Sequence, residues 1–233
     1  MILTFIGAAG MILNQQFKFL FIKTRKTGGT SLEIALSKFA GPQDIITPIV
    51  KDDEATKKRL GFRGPQNFMN ADGTKAKAWN HITAAEIRSR LSEKAWDSLY
   101  KFSIVRNPFS KAVSGYFWND GPNRYSSFFE YLKNNSRGLR QNWDTICIDG
   151  KPALDKVIRY ENLHDDLAEV SETLKLPENV HDVMSGIRAK GQYRPQHKPI
   201  REYYEESDKA RQLVELLCED ELAYFNYSLD DFD

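Results

Sequence analysis

FLFIKTRKTGGTSLEIAL, residues Phe19 to Leu36, passes from an apolar run through two glycines into a helical pattern. Phe19 to Ile22 is a short continuous apolar run, the signature of a parallel strand buried on both faces. Leu32, Ala35, Leu36 and Phe39 recur at the spacing of one helical face. Thr30-x-x-Glu33 matches a capping box at the start of that helix. Lys26-Thr27-Gly28-Gly29 is therefore expected to link a strand to a helix. Glycine there lets the chain bend and lets an anion come close to the backbone N–H groups. The helix start adds donors and a positive partial charge, while Lys26, Thr30 and Ser31 add a cation and two hydroxyls. The competing reading is a plain tight turn with a solvated lysine. The whole combination favours a site for phosphate or a phosphate-like group.

The loop departs from the G-x-x-x-x-G-K-[ST] pattern of nucleotide triphosphatases, because its lysine precedes the glycines. No evident strand ends in an aspartate suited to magnesium. A site that holds phosphate without a metal is the expectation.

A second strand, turn and helix follow in FSIVRNPFSKAVSGYFW, residues 102–118. Lys101 to Val105 reads as a strand. Asn107-Pro108 reads as a helix cap followed by proline at the first helical position. Arg106 ends the strand with a planar fork of donors suited to phosphate, and Ser114 lies eight residues on. In open α/β sheets ligands lie beyond such strand ends. Two anion sites suit a ligand with phosphate groups at two separated positions.

The rest of the chain gives the frame. Its 233 residues are 41% hydrophobic and 28% charged, with a net charge of +1. That balance fits a globular protein and advertises neither a nucleic-acid partner nor a membrane surface. Two cysteines, Cys147 and Cys218, offer no disulfide framework or Cys-x-x-Cys metal spacing, and a reducing, cytoplasmic compartment is expected. MILTFIGAAGMIL at the N-terminus is too short for a helical span and lacks the basic flank of a signal peptide. It is read, within an apolar arm of residues 1–16, as a strand or arm packed on the domain, with membrane association as the minority reading. Residues 43–80 form a long polar, lysine-rich region with short elements. Thr83-x-x-Glu86 marks a capping box, Asp149-Gly150 a turn, and Leu163 to Leu174 and Ala210 to Leu217 further helices. Strands alternating with helices give the fold class: α/β, one P-loop-like domain over 1–233 with a mostly parallel sheet flanked by helices.

At this point the residues resemble a known family. KTRKTGGTSLE is similar to the 5′-phosphosulfate loop of sulfotransferases, and FSIVRNPFSKAVSGYFW to their 3′-phosphate motif. NHITAAEIRSRL, VIRYENLHDDL and IREYYEE…LCEDELAYFNY resemble further family segments, in the family's order. The likeness covers most of Phe17 to Tyr227 and is nearest to the carbohydrate group that includes heparan sulfate 2-O-sulfotransferase. It implies 3′-phosphoadenosine 5′-phosphosulfate (PAPS) as donor, 3′-phosphoadenosine 5′-phosphate as product, no metal, and a hydroxyl-bearing, carbohydrate acceptor.

By position, the resemblance assigns Lys26 to the phosphosulfate bridge and Thr27, Gly28, Gly29, Thr30 and Ser31 to the 5′-phosphate. It assigns Arg106 and Ser114 to the 3′-phosphate, and Lys190 and Arg194 to a nucleotide-covering segment. His81 falls where the 2-O-type enzymes carry a histidine resembling a general base. Catalysis is thus expected from Lys26 and His81, with Glu33 as the runner-up base. Family members commonly have proline before the loop lysine, where this chain has Arg25, which stays outside the catalytic set. Lys57, Lys58, Arg59, Arg63, Lys75 and Lys77 are candidate guides for an anionic acceptor, against the reading of a solvated face. Two other functions remain open: a P-loop nucleotide or small-molecule kinase, and a nucleotide-binding module without turnover.

Overall fold

The computed structural model describes residues 10–68, 81–187 and 198–232. By contacts the described residues fall into two compact units, 10–105 with 144–187, and 106–143 with 198–232.

The first unit is built on a five-stranded sheet of β1 (Met11–Asn14), β2 (Phe19–Ile22), β3 (Ile45–Ile46), β4 (Tyr100–Val105) and β7 (Lys156–Arg159). The strand order is β3-β1-β2-β4-β7. β2, β4 and β7 are parallel, with Phe21 opposite Phe102 and Ile104 opposite Ile158. β1 runs antiparallel to both its neighbours, so four of the five strands share one direction. The unit is α/β with a mostly parallel sheet, as expected. The end of the apolar arm supplies β1, an interior strand buried at every residue.

All four residues of β2 are buried. Phe19 and Phe21 enter one core cluster with Phe102 and with Leu32, Ala35 and Leu36 of α1 (Gly29–Ser37). Leu167 and Val170 of α9 (Leu163–Thr173) and Val180 of α10 (Val180–Ser185) complete that layer. Leu20 and Ile22 turn to the other face, where Ala84 and Ile87 of α3 (Ala84–Arg88) and Trp96 of α4 (Glu93–Asp97) cover them. Cover on both faces explains why the strand is continuously apolar instead of alternating.

Residues 43–68 hold β3 and the nine-residue helix α2 (Lys51–Arg59). Lys57 on α2 is 0% exposed. It is therefore removed from the set of acceptor-guiding surface cations, while Lys58, Arg59 and Arg63 are exposed. Lys75 and Lys77 lie outside the described residues. Asp149 and Gly150, with φ of 52° and 75°, form the expected two-residue turn between β5 (Cys147–Ile148) and β6 (Lys151–Pro152).

The second unit is helical: α5 (Pro108–Trp118), α6 (Gly121–Arg124), α7 (Phe128–Asn134), most of α8 (Ser136–Ile146), α11 (Glu202–Glu205), α12 (Asp208–Leu217) and α13 (Glu219–Phe225). Its core joins Phe109, Val113 and Tyr116 to Phe128, Tyr131, Tyr204 and Val214. Tyr116 is thus a packing residue, whereas Trp118 is 37% exposed. Cys218 is buried, its Sγ–H directed at the Leu139 carbonyl, and burial pushes its thiol up to about 11. Among the described residues, no helix is long and apolar enough to cross a membrane.

The first unit's core should be most sensitive at Phe102. This ring is fully buried with centroids 5.5 Å from Phe19 and 5.7 Å from Phe21. Phe102→Ala should destabilise the protein by about 3–5 kcal/mol in denaturant unfolding.

Candidate functional site

β2 ends at Ile22, and the next six residues carry the chain to the start of α1 at Gly29. Side-chain hydroxyls secure this exit. Ser103 Oγ donates to the Ile22 carbonyl at 2.6 Å, and Thr24 Oγ1 donates to the Ile104 carbonyl. Thr27 is buried, its hydroxyl 2.9 Å from that of Thr24. The Thr27 side chain thus faces into the loop, and any part it takes in holding an anion falls to its backbone.

Lys26 has a φ of 61°, in the left-handed region, at a strain of about 1–2 kcal/mol for a residue with a side chain. Gly28 and Gly29 are glycines for different reasons. Gly28 caps α1 with a φ of 80°, which a side chain resists. Gly29 is an ordinary helical residue, but a Cβ there would come within 3.0 Å of Lys23 Cγ and 3.2 Å of the Thr24 carbonyl oxygen. The stem of Lys23 therefore lies against the loop's second glycine.

The expected capping box at Thr30 is absent. α1 starts at Gly29, so Thr30 already lies inside the helix, and the N-cap position falls to Gly28, which has no side chain to cap it. Glu33 instead points inward at 0% exposure. Its Oε2 accepts a 2.9 Å hydrogen bond from Lys23 Nζ, and its Oε1 lies 4.0 Å from Lys57 Nζ. The first turn of α1 holds no acidic residue. An uncapped helix start free of negative charge, entered through glycine and next to Lys26, is suited to an anion. Thr30 and Ser31 are half-buried in that first turn.

His81 joins this loop from a distant part of the chain. Thr83 and Glu86 form the expected capping box, with Glu86 N donating to Thr83 Oγ1 at 3.2 Å and Thr83 N to Glu86 Oε2 at 2.9 Å. Ile82 and Ile87 are buried in the cluster that holds Leu20 and Ile22. The residue before Ile82 is thereby carried to the end of β2, and His81 Nδ1 lies 3.0 Å from the Lys23 carbonyl oxygen. A carbonyl only accepts, so Nδ1 carries the hydrogen and Nε2 keeps a lone pair. Burial is the main cause that lowers His81 to about 4; the Lys23 carbonyl opposes it, and the charges of Arg25 and Lys23 add to it.

In the second unit, Asn107 Oδ1 accepts from Phe109 N at 3.0 Å and caps α5, with Pro108 at its first position as expected. Arg106 is 7% exposed, and its Nε donates to Ser110 Oγ at 2.7 Å. Ser114, half-buried, follows Ser110 by one helical turn and shares its face of α5. Lys190 and Arg194 lie outside the described residues. Among the described residues no group of three or more His, Cys, Asp or Glu side chains is placed to hold a metal ion.

Four residues at these places were not singled out by the sequence reading. Lys23 touches both the loop and His81. Ser110 is found only through its four-residue spacing from Arg106 and Ser114. Tyr160 and Met184 both come within 3.5 Å of a Cβ built on Gly28, so they flank the loop's first glycine. Tyr160 belongs to the RYENL segment; Met184 carries no signal.

The state of His81 has a measurable consequence for stability. Between pH 6.5 and 4 the unfolded chain protonates this side chain and the folded chain does not, so stability falls as pH drops through that window. His81→Gln removes the contribution. Wild type should lose about 2–3 kcal/mol more than the variant between pH 7 and 4 in urea unfolding.

Over 114 residues the chain is 33% identical to an uncharacterized protein of Archaeoglobus fulgidus, a match covering 46% of this chain and 93% of that one. Residues 9–228 match the model of the sulfotransferase family, a span that takes in β1, the glycine loop, His81, α5 and α13. The chain belongs to the sulfotransferase family.

Proposed function

We propose that the protein transfers a sulfuryl group from PAPS to a hydroxyl of an acceptor, and that the acceptor is a carbohydrate. One observation carries the reading: the loop that enters α1 through glycine, with Lys26 beside the helix start, holds at its own first residue, Lys23, a histidine whose Nε2 keeps a lone pair for a proton. Family membership supports sulfuryl transfer over the phosphoryl transfer of a kinase. The carbohydrate acceptor rests on the resemblance of His81 and its segment to the 2-O-type enzymes.

When bound, PAPS would supply the activated sulfuryl group. The N–H groups at the start of α1 and the Lys26 ammonium bind the 5′-phosphate, at a turn made by the left-handed bends of Lys26 and Gly28. Arg106 and Ser114 bind the 3′-phosphate, with Ser110 orienting the guanidinium. His81 Nε2 accepts the acceptor's proton as the new O–S bond forms, and Lys26 stabilises the charge that gathers on the phosphate oxygen as the old S–O bond breaks. A histidine held near 4 is unprotonated throughout the neutral range but is a weak base. It takes the proton late, when bonding to sulfur has made the hydroxyl acidic. The acid limb of kcat/KM should accordingly lie near pH 4, below the 6.5 of an unperturbed histidine.

Donor recognition is tested first. 3′-Phosphoadenosine 5′-phosphate should raise the melting temperature, since it binds only the folded chain, and adenosine 5′-phosphate should do so much less. Equal shifts would remove the assignment of a second anion site. Arg106→Ala should weaken binding of the bisphosphate by about 1.5–3 kcal/mol in calorimetry.

The catalytic assignments separate by kinetics. His81→Ala should lower turnover by about 10²–10⁴-fold and leave nucleotide affinity nearly intact. Lys26→Ala should harm both, because its charge meets phosphate in the ground state and the leaving oxygen in the transition state. Near-normal turnover in His81→Ala, measured with an acceptor drawn from a saccharide panel, would place the base elsewhere.

A further inference from the structure

We infer that Glu33 and Lys23 are a positioning pair for His81: the buried carboxylate holds the Lys23 side chain, and the Lys23 carbonyl holds the imidazole with its proton on Nδ1. The consequence for catalysis rests on the sulfuryl-transfer reading; the pair itself rests on geometry alone.

Glu33 has no exposed surface, so it cannot reach an acceptor hydroxyl, and the runner-up base becomes a group with another task. A fully buried acid requires a cation. Among the described residues two are present: Lys23, just past the end of β2, and Lys57 on α2. Only Lys23 makes a hydrogen bond to Glu33, at 2.9 Å against a 4.0 Å separation for Lys57, and Glu33 Oε1 is a buried oxygen without a hydrogen-bond partner. Glu33 therefore grips Lys23 through a single oxygen.

Lys23 is tied down at every part of its length. Its N–H donates to the Gly10 carbonyl at 2.7 Å, its Cγ lies against Gly29, its Nζ is held by Glu33, and its carbonyl accepts from His81 Nδ1 at 3.0 Å. The rotation of the Lys23 peptide unit decides where that carbonyl points. A side chain stretched across Gly29 and fixed at its tip restricts the rotation, whereas a free lysine on a strand end would not. Lys23 and Arg25 are the charged groups that act on the ring. An imidazole with its proton fixed on Nδ1 has Nε2 as its only basic atom, which is what a proton acceptor needs.

The test uses the full chain labelled with ¹⁵N-histidine, read by the ring-nitrogen shifts at neutral pH. The chain has four histidines, and the His81 signal is identified by its loss in His81→Gln. In wild type this ring should be in the Nδ1–H form. In Lys23→Met, which keeps the stem and removes the ammonium, and in Glu33→Gln, the ring should shift to a mixture of the two tautomers. The His164 and His181 signals should stay in place, which a general loosening of the fold would not allow. If Glu33→Gln does not fold, Lys23→Met decides alone. A wild-type ring protonated on Nε2, or an unchanged His81 signal in the folded variants, overturns the inference. Failure of 3′-phosphoadenosine 5′-phosphate to stabilise the wild type would overturn the sulfuryl-transfer reading, and the ring signal would still decide the pair.

Discussion

Phe21 stands opposite Phe102 in the parallel pairing of β2 with β4, and β4 pairs in the same sense with β7. Parallel strands finish at one edge of their sheet, so the segments that leave β2 and β7 emerge together. That constraint brings the 23–28 loop and the 160–162 turn side by side, with Tyr160 against Gly28. It also fixes the direction of α1, which must start at this edge to return across the Phe19–Phe21 face. A helix started there presents its N-terminal donors where the strands end. Hydrogen bonds from Ser103 to the Ile22 carbonyl and from Thr24 to the Ile104 carbonyl tie the two strand ends to one another.

Much of this was legible in the sequence, because the signals were local. β2, β4, the Thr83 capping box, the Asn107-Pro108 helix start and the Asp149-Gly150 turn each depend on residues within one or two turns of chain. The Thr30-x-x-Glu33 reading failed for a specific reason. The same letters serve as a capping box only if the threonine sits at the cap, and Gly28, with its φ of 80°, takes that place two residues earlier. Glu33 then falls on the buried side. Lys57 failed in a related way: a lysine within KKR looks solvated, and only the folded chain buries it and brings Glu33 to it, beside Glu54 one helical turn away. Lys23 and Ser110 were passed over because their importance lies in what they touch, which no spacing announces.

The charges around the loop also divide their tasks in a way composition could not reveal. With a net charge of +1, any anion site has to be assembled locally. Lys23, Arg25 and Lys26 lie within four residues, yet Glu33 is committed to Lys23. The first of these cations is thereby engaged in structure, while Lys26 lies at the left-handed bend nearest the glycines.

Three features here oppose stability, and all lie on or against one short loop. Lys26 occupies a conformation that side chains resist. Glu33 buries a carboxylate oxygen with no hydrogen-bond partner. His81 is held in a setting that lowers its affinity for a proton, which costs stability at acid pH. A loop selected only to join β2 to α1 would need none of them, since an ordinary capped turn makes the same connection. Each has a use once an anion and a proton transfer are added. The bend turns the chain into the start of α1, the buried acid fixes Lys23, and the low proton affinity keeps Nε2 bare at neutral pH. Local strain concentrated where the chemistry is proposed is the pattern expected when a site is built at the expense of the fold around it.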